Sequence, residues 1–126
     1  MLLFRATHRT EPTTENGELP VDLTPHQAHR LVADGAVLVD VREHDEWQAG
    51  HAPGALHVPL ASLHLDAVPS DAVIVAVCRS GARSKRAVAA LHRAGRRAHN
   101  LAGGMHAWHR AGLGVVRDDG TPGSIA

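Results

Sequence analysis

Sulfur and aromatic side chains are almost missing from this sequence. Its 126 residues include one cysteine, no tyrosine, one phenylalanine and two tryptophans. A lone cysteine, Cys78, rules out an intrachain disulfide, and a chain of this length buries about two-thirds of its unfolded surface without one. Three aromatics leave little for bases to stack on, which argues against a nucleic-acid partner. Long apolar runs are missing too. The longest, Ala72 to Cys78, has seven residues and falls far short of a membrane span. The start, Met1-Leu2-Leu3-Phe4, is too brief for a signal peptide and has no basic segment before it, so a cytoplasmic protein without a membrane partner is expected. Disorder is excluded as well, with 44% hydrophobic and 21% charged residues.

Carboxylates vanish from part of the chain. Thirteen acids balance thirteen bases, yet none lies between Ala72 and Arg117. That stretch carries Arg79, Arg83, Lys85, Arg86, Arg93, Arg96, Arg97, Arg110 and Arg117. A solvated helix face in an arginine-biased chain accounts for such a cluster in the simplest way. A pole that draws in anions is the functional reading.

Punctuation divides what remains. Residues 1–18 show no periodicity and read as a flexible leader, 19–114 as one domain, and 115–126 as a mobile C-terminal tail. Thr24 suits a helix N-cap, Pro25 the first helical position and Gly35 the stop, with Ala28, Leu31 and Val32 on one face. Val37–Val39, Leu56–Val58, Ala72–Val77 and Ala98–Leu101 read as strands, the third apolar on both faces as a central parallel strand is. Helices are expected over 43–48, 61–67, 83–94 and 105–111. Alternating strands and helices give an α/β fold with a mostly parallel sheet.

Open parallel sheets place their chemistry beyond the strands' carboxyl ends. The central strand runs into Cys78-Arg79-Ser80-Gly81-Ala82-Arg83-Ser84 and then directly into a helix. Gly81 permits a left-handed backbone, so successive amides can turn inward as an anion-binding nest. The following helix aims its positive end at the same point, and Arg79 and Arg83 add full charges. All of this favours a thiolate at Cys78. A lone cysteine is more often a small buried hydrophobe, but these neighbours outweigh that default.

The same loop resembles the active-site loop of single-domain rhodanese-type sulfurtransferases. Asp40-Val41-Arg42-Glu43 is similar to the family's Asp-x-Arg element. Glu46-Trp47 and Gly50-His51-Ala52-Pro53-Gly54-Ala55 are similar to its Gly-His-Ile-Pro-Gly-Ala element, with Ala52 in place of isoleucine. Pro59 and Leu101-Ala102-Gly103-Gly104-Met105-His106-Ala107-Trp108 fit the remaining motifs, so the resemblance covers about Leu19 to Gly114. It implies a three-layer domain, with helices on both faces of an about five-stranded, mainly parallel sheet. It also implies sulfur transfer through a Cys78 persulfide, with Arg79, Ser80, Gly81, Ala82, Arg83 and Ser84 as the anion loop.

The family's sheet sets Asp40 and Arg42 beside that loop. A bare carboxylate there would raise the thiol pKa, so Asp40 should be neutralised by Arg83 or Arg42 and brace the loop. The partners implied are a small anionic sulfur donor, such as thiosulfate, and a thiol or cyanide acceptor. A sulfur-acceptor protein is a further candidate. Trp47 and Trp108 read as packing, and Gly103-Gly104 as a tight strand-to-helix turn.

No cofactor or metal is expected. The pairs His26/His29 and His106/His109 could each share a helix face, but neither has an evident third ligand. A phosphatase needs five residues between cysteine and arginine, and Arg83 follows Cys78 after four. A non-catalytic rhodanese-type binding module and a protein-to-protein sulfur relay are also compatible with these residues.

Overall fold

The computed structural model describes residues 19–126; the leader expected over 1–18 lies outside them. The chain runs β1 (Asp22–Leu23), α1 (Pro25–Ala33), β2 (Val37–Asp40), α2 (His44–Ala49), β3 (Leu56–His57), β4 (Ile74–Val77), α3 (Ala82–Arg93), β5 (Ala98–Leu101) and α4 (Gly104–Arg110). The sheet order is β1-β5-β4-β2-β3, and every neighbouring pair is parallel. This is the expected α/β sheet, with β4 at its centre.

Alternation along β4 builds two cores. Ile74 and Ala76 point to one face, where Ala87, Val88 and Leu91 of α3 cover them. Val75 and Val77 point to the other, against Ala28 of α1 and Met105 and Trp108 of α4. A strand buried on both faces needs apolar residues at every position, which is why Ile74–Val77 reads as a continuous run. Thr24 caps α1 through a capping box, its Oγ1 accepting from Gln27 N while Gln27 Oε1 accepts from Thr24 N.

The structure differs from the sequence reading in three places. β1 is not expected from the sequence, because two residues show no alternation. The helix expected over 61–67 is instead two 3-10 turns, Leu60–Ser62 and Leu65–Ala67, separated by extended backbone at Leu63 and His64. That break lets Leu60, Leu63 and Ala67 all pack on the α3-side core.

The third difference is the tail, which is docked rather than mobile. His51 and Val116 exchange two backbone hydrogen bonds of 2.8 Å, and Ser124 N donates to Ala49 O at 2.9 Å. Val115 and Ile125 join the α1/α4-side core. Asp118 Oδ1 accepts from Trp47 Nε1 at 3.2 Å and lies 2.9 Å from His51 Nε2. The indole of Trp47 stacks flat on His51 and His57, with centroids 3.6 and 4.7 Å away. Asp118-Asp119-Gly120 reads as solvent-facing on composition, yet Asp-Gly between Val115-Val116 and Thr121 is also a hairpin signal.

Asp118→Ala removes the acceptor shared by Trp47 and His51. Because the carboxylate is largely exposed, the expected loss of global stability is at most about 1 kcal/mol. Hydrogen exchange at Val116 and Gly123 should nevertheless accelerate. Unchanged exchange there would mean that Asp118 does not hold the segment.

Candidate active site

The cysteine loop is shaped from both ends. β4 carries Cys78 just past Val77, which is in register with Asp40 of β2, so Cys78 packs with Val41 on the α3 side while Asp40 points to the other face. Gly81 caps α3 with φ 118°, a left-handed conformation that reverses the chain within four residues. Its amide then donates to Cys78 Sγ at 3.0 Å, and Ser84 Oγ on the first turn of α3 sits 3.3 Å from the same sulfur. The loop carbonyls go elsewhere. Met105 N donates to Cys78 O at 2.8 Å and His106 N to Arg79 O at 3.2 Å, so the N-terminus of α4 pairs with the outward side of the loop.

This close approach requires glycine at 104. A Cβ there would lie 2.5 Å from the Arg79 carbonyl carbon and oxygen, and the residue has φ +61°. The turn expected at Gly103-Gly104 therefore also acts on the site itself.

Two opposed effects set the state of the thiol. Burial, the largest single effect, pushes its pKa up. The Ser84 hydroxyl and the amides of Ser84, Gly81 and Ser80 stabilise the thiolate, and together they hold the pKa below the ordinary thiol value. A hydrogen bond to a charged group contributes about 1.5–3 kcal/mol, so several outweigh one desolvation penalty.

Cys78 itself is only 1% exposed and packs in the α3-side core with Val39, Val41 and Ala87, so the burial usual for a lone cysteine holds here together with the hydrogen bonds to its sulfur. Its sulfur is covered by the Gly81 amide on the loop side and by apolar residues of the core on the other.

The arginines also depart from expectation. Arg83 forms a fork with Glu46, Nη1 to Oε1 at 2.7 Å and Nη2 to Oε2 at 2.8 Å. It acts on the sulfur through space only, with its charge largely answered by that carboxylate. Arg79 is exposed and donates from Nε to the Ala126 carbonyl at 2.6 Å. The thiolate is thus favoured by hydrogen bonds rather than by paired cations.

Asp40 is neutralised by Arg42, one of its two candidate partners. Both side chains are fully buried, with Nε to Oδ1 at 2.9 Å and Nη2 to Oδ2 at 2.8 Å. Arg42 Nη2 also donates to Gly50 O at 2.7 Å. The pair therefore braces the turn between α2 and β3 rather than the cysteine loop. Arg42 Nη1 has no hydrogen-bond partner among the described residues.

Of the remaining loop residues, Ser80 and Ala82 are exposed and Ser84 is buried. Ser80, Gly81 and Ala82 edge a cleft of about 340 Å³, shared with Asp22, Lys85 and Asn100. Sequence reasoning missed Asn100, which is fully buried and accepts from Ser84 Oγ at 2.5 Å. An amide within a buried parallel strand was the available signal. Glu46 stands out in the sequence as a motif residue, but nothing there marks it as the partner of Arg83.

A family model described as the rhodanese-like domain matches residues 24–111. Over 97 residues the chain is 43% identical to an HTH-type transcriptional regulator of Mycobacterium tuberculosis. That match takes in 74% of this chain and 42% of the regulator, so the chain spans less than half of that relative. It is 41% identical over 90 residues to a sulfurtransferase of Allochromatium vinosum, covering 69% of this chain and 84% of that protein. Among solved structures, a rhodanese-related protein from Thermoplasma volcanium superposes with a TM-score of 0.72. The identity there is 23%, over 77% of this chain and 98% of the other, and the likeness is one of fold.

Two variants test this geometry. Gly104→Ala should destabilise the protein by about 2–4 kcal/mol, through strain at positive φ plus backbone overlap. A melting temperature equal to wild type would mean the contact relaxes freely.

Glu46 gives a pH test. The Arg83 fork lowers its carboxyl from 4.5 to about 2. The resulting stabilisation is complete above pH 4.5 and is lost as the pH falls towards 2. Glu46→Gln should flatten that part of the acid-unfolding curve; an unaltered curve would remove the pair from the stability balance.

Proposed function

Because the chain belongs to the rhodanese-like domain family, we propose that it is a sulfurtransferase that carries sulfane sulfur as a persulfide on Cys78. The observation that carries this reading is the ring around the sulfur. The Gly81 amide donates to Sγ at 3.0 Å while the carbonyls of Cys78 and Arg79 are held outward by α4. Sulfurtransferase activity in the Allochromatium vinosum relative, which this chain matches over most of that protein's length, supports the same reaction class.

The thiolate attacks the outer sulfur of thiosulfate or a related persulfide donor. An S–S bond forms at Cys78 as the donor's own bond to that sulfur breaks, and sulfite leaves with the electron pair when thiosulfate is the donor. The amides of Ser80, Gly81 and Ser84 stabilise the anion, and no general base is needed once the thiolate exists. An external thiol or cyanide then takes the outer sulfur and regenerates the thiolate. The chain has no second cysteine, so the acceptor comes from outside it, as a small molecule or as an acceptor protein in a relay. Ser84 and Gly81 would serve as direct donors, Ser80 and Ala82 as the rim, and Arg79 and Arg83 as distant charge. Asp40 and Arg42 would hold the neighbouring turn.

Phosphoryl chemistry fits less well. Four residues separate Cys78 from Arg83, and the guanidinium that would hold a phosphate is engaged by Glu46. The 1% exposure of Cys78 favours a second reading, a binding module that does no chemistry. No described helix is long and apolar enough to cross a membrane, and we assign the reaction to the cytoplasm.

Intact mass separates the two readings. Incubation with thiosulfate should add one sulfur atom to the wild-type protein and none to Cys78→Ser, and thiocyanate formation from cyanide should vanish in that variant. Transfer retained by Cys78→Ser would overturn the mechanism. No sulfur uptake from thiosulfate, mercaptopyruvate or glutathione persulfide would support the binding module. Release of p-nitrophenol from its phosphate ester would revive the phosphatase.

A further inference from the structure

A line of hydrogen bonds leads from the sulfur to the sheet edge. Ser84 Oγ lies 3.3 Å from Cys78 Sγ, 3.2 Å from Gly81 O and 2.5 Å from Asn100 Oδ1. Asn100 Nδ2 in turn donates to Asp22 Oδ1 at 3.0 Å. Ser84 and Asn100 are fully buried, whereas Asp22 is exposed on β1 at the sheet edge. Only the amide nitrogen can donate to a carboxylate, so Asp22 sets the orientation of Asn100 and turns its oxygen towards Ser84.

We propose that Asn100, oriented by Asp22, is a positioning residue that competes with Cys78 for the single Ser84 hydroxyl proton. The competition opposes the thiolate and favours the persulfide. The inference rests on Cys78 being the nucleophile.

When the sulfur is a thiol, the line is complete. S–H donates to Ser84, Ser84 to Asn100, and Asn100 to Asp22. When it is a thiolate, Ser84 must turn to the sulfur, and Asn100 Oδ1 loses its 2.5 Å partner in a buried site. Once an outer sulfur is attached, the charge moves onto that atom and Sγ becomes a poor acceptor. Ser84 then returns its proton to Asn100, and the conflict ends. The same serine thus supports the thiolate while Asn100 limits that support.

The surrounding elements carry other charges, of which Arg83 acts on the sulfur through space. Arg83 on α3 is paired with Glu46 on α2, and the Asp40–Arg42 pair closes the end of β2. Arg79 lies in the loop, and Lys85 on α3 borders the cleft with Asp22. None of them is altered by the variants that test the proposal.

The test is the ultraviolet absorbance of the thiolate against pH. Cys78 is the sole cysteine and the chain has no tyrosine, so the band reports one group. Asn100→Leu and Asp22→Ala should each lower the midpoint by about one pH unit, and Ser84→Ala should raise it. Asp22→Asn keeps a carbonyl for Asn100 Nδ2 and should stay with wild type. Equal shifts in Asp22→Ala and Asp22→Asn would reduce the effect to the charge of Asp22 and overturn the proposal. So would an unshifted or raised midpoint in folded Asn100→Leu. Should that variant fail to fold by circular dichroism, the two Asp22 variants decide alone. No sulfur donor enters the measurement, so absence of sulfur transfer would refute the proposed reaction without touching this result.

Discussion

The amides of Met105 and His106 take the carbonyls of Cys78 and Arg79, and the chemistry of the loop depends on that pairing. A peptide group is planar, with its C=O and N–H on opposite sides. Holding Arg79 O against α4 therefore turns the Ser80 N–H the other way, and the Ser80 amide is among the groups that favour the thiolate. The first turn of α4 thus decides the polarity of a ring to which it contributes no atom. The requirement for glycine at 104 follows from the same contact, because the two backbones approach too closely for a side chain.

Positive charge plays a smaller part than the run of arginines suggests. Arg83 is matched by Glu46, Arg96 donates to the carbonyls of Val68 and Pro69, and Arg97 to that of Asp71. A carboxylate-free stretch in sequence is not carboxylate-free in space, because α2 brings Glu46 to the start of α3. Direct donors at about 3 Å in a buried site act undiluted, whereas charges at an exposed rim are screened. The observed distances place the site in the first regime.

The sequence carried the parts of this fold that rest on local rules. The Thr24 cap, the apolar run from Ala72 to Val77, the Gly81 reversal and the helix after it all depend on neighbours in the chain. The nest at Cys78 was legible for the same reason, since glycine, amides and helix start are contiguous. Three features were not. β1 is two residues long and exists only by pairing with β5. Residues 115–126 look polar, and their seat against α2 depends on a strand-like exchange with His51. Asn100 lies sixteen residues beyond Ser84, and no local pattern joins them. The choice between Arg42 and Arg83 as partner of Asp40 likewise needed the fold, because both candidates lie near the strand end and only the position of α2 assigns Glu46 to Arg83.

The buried Asp40–Arg42 pair ties these distant pieces together. Removing two charges from water is expensive, and a buried pair of this kind is weak grounds for stability by itself. Its geometry points to register instead. Arg42 fixes the Gly50 carbonyl, and a Cβ on Gly50 would lie within 2.8 Å of Ser124 and Val115 of the docked C-terminal segment. The α2–β3 turn is therefore held on one side by the guanidinium and on the other by the segment that supplies Asp118. A turn fixed on both sides sets where α2 lies, and with it where Glu46 meets Arg83. Asp40 thus bears on the cysteine loop through backbone position, by way of α2 and Glu46, and not through its charge.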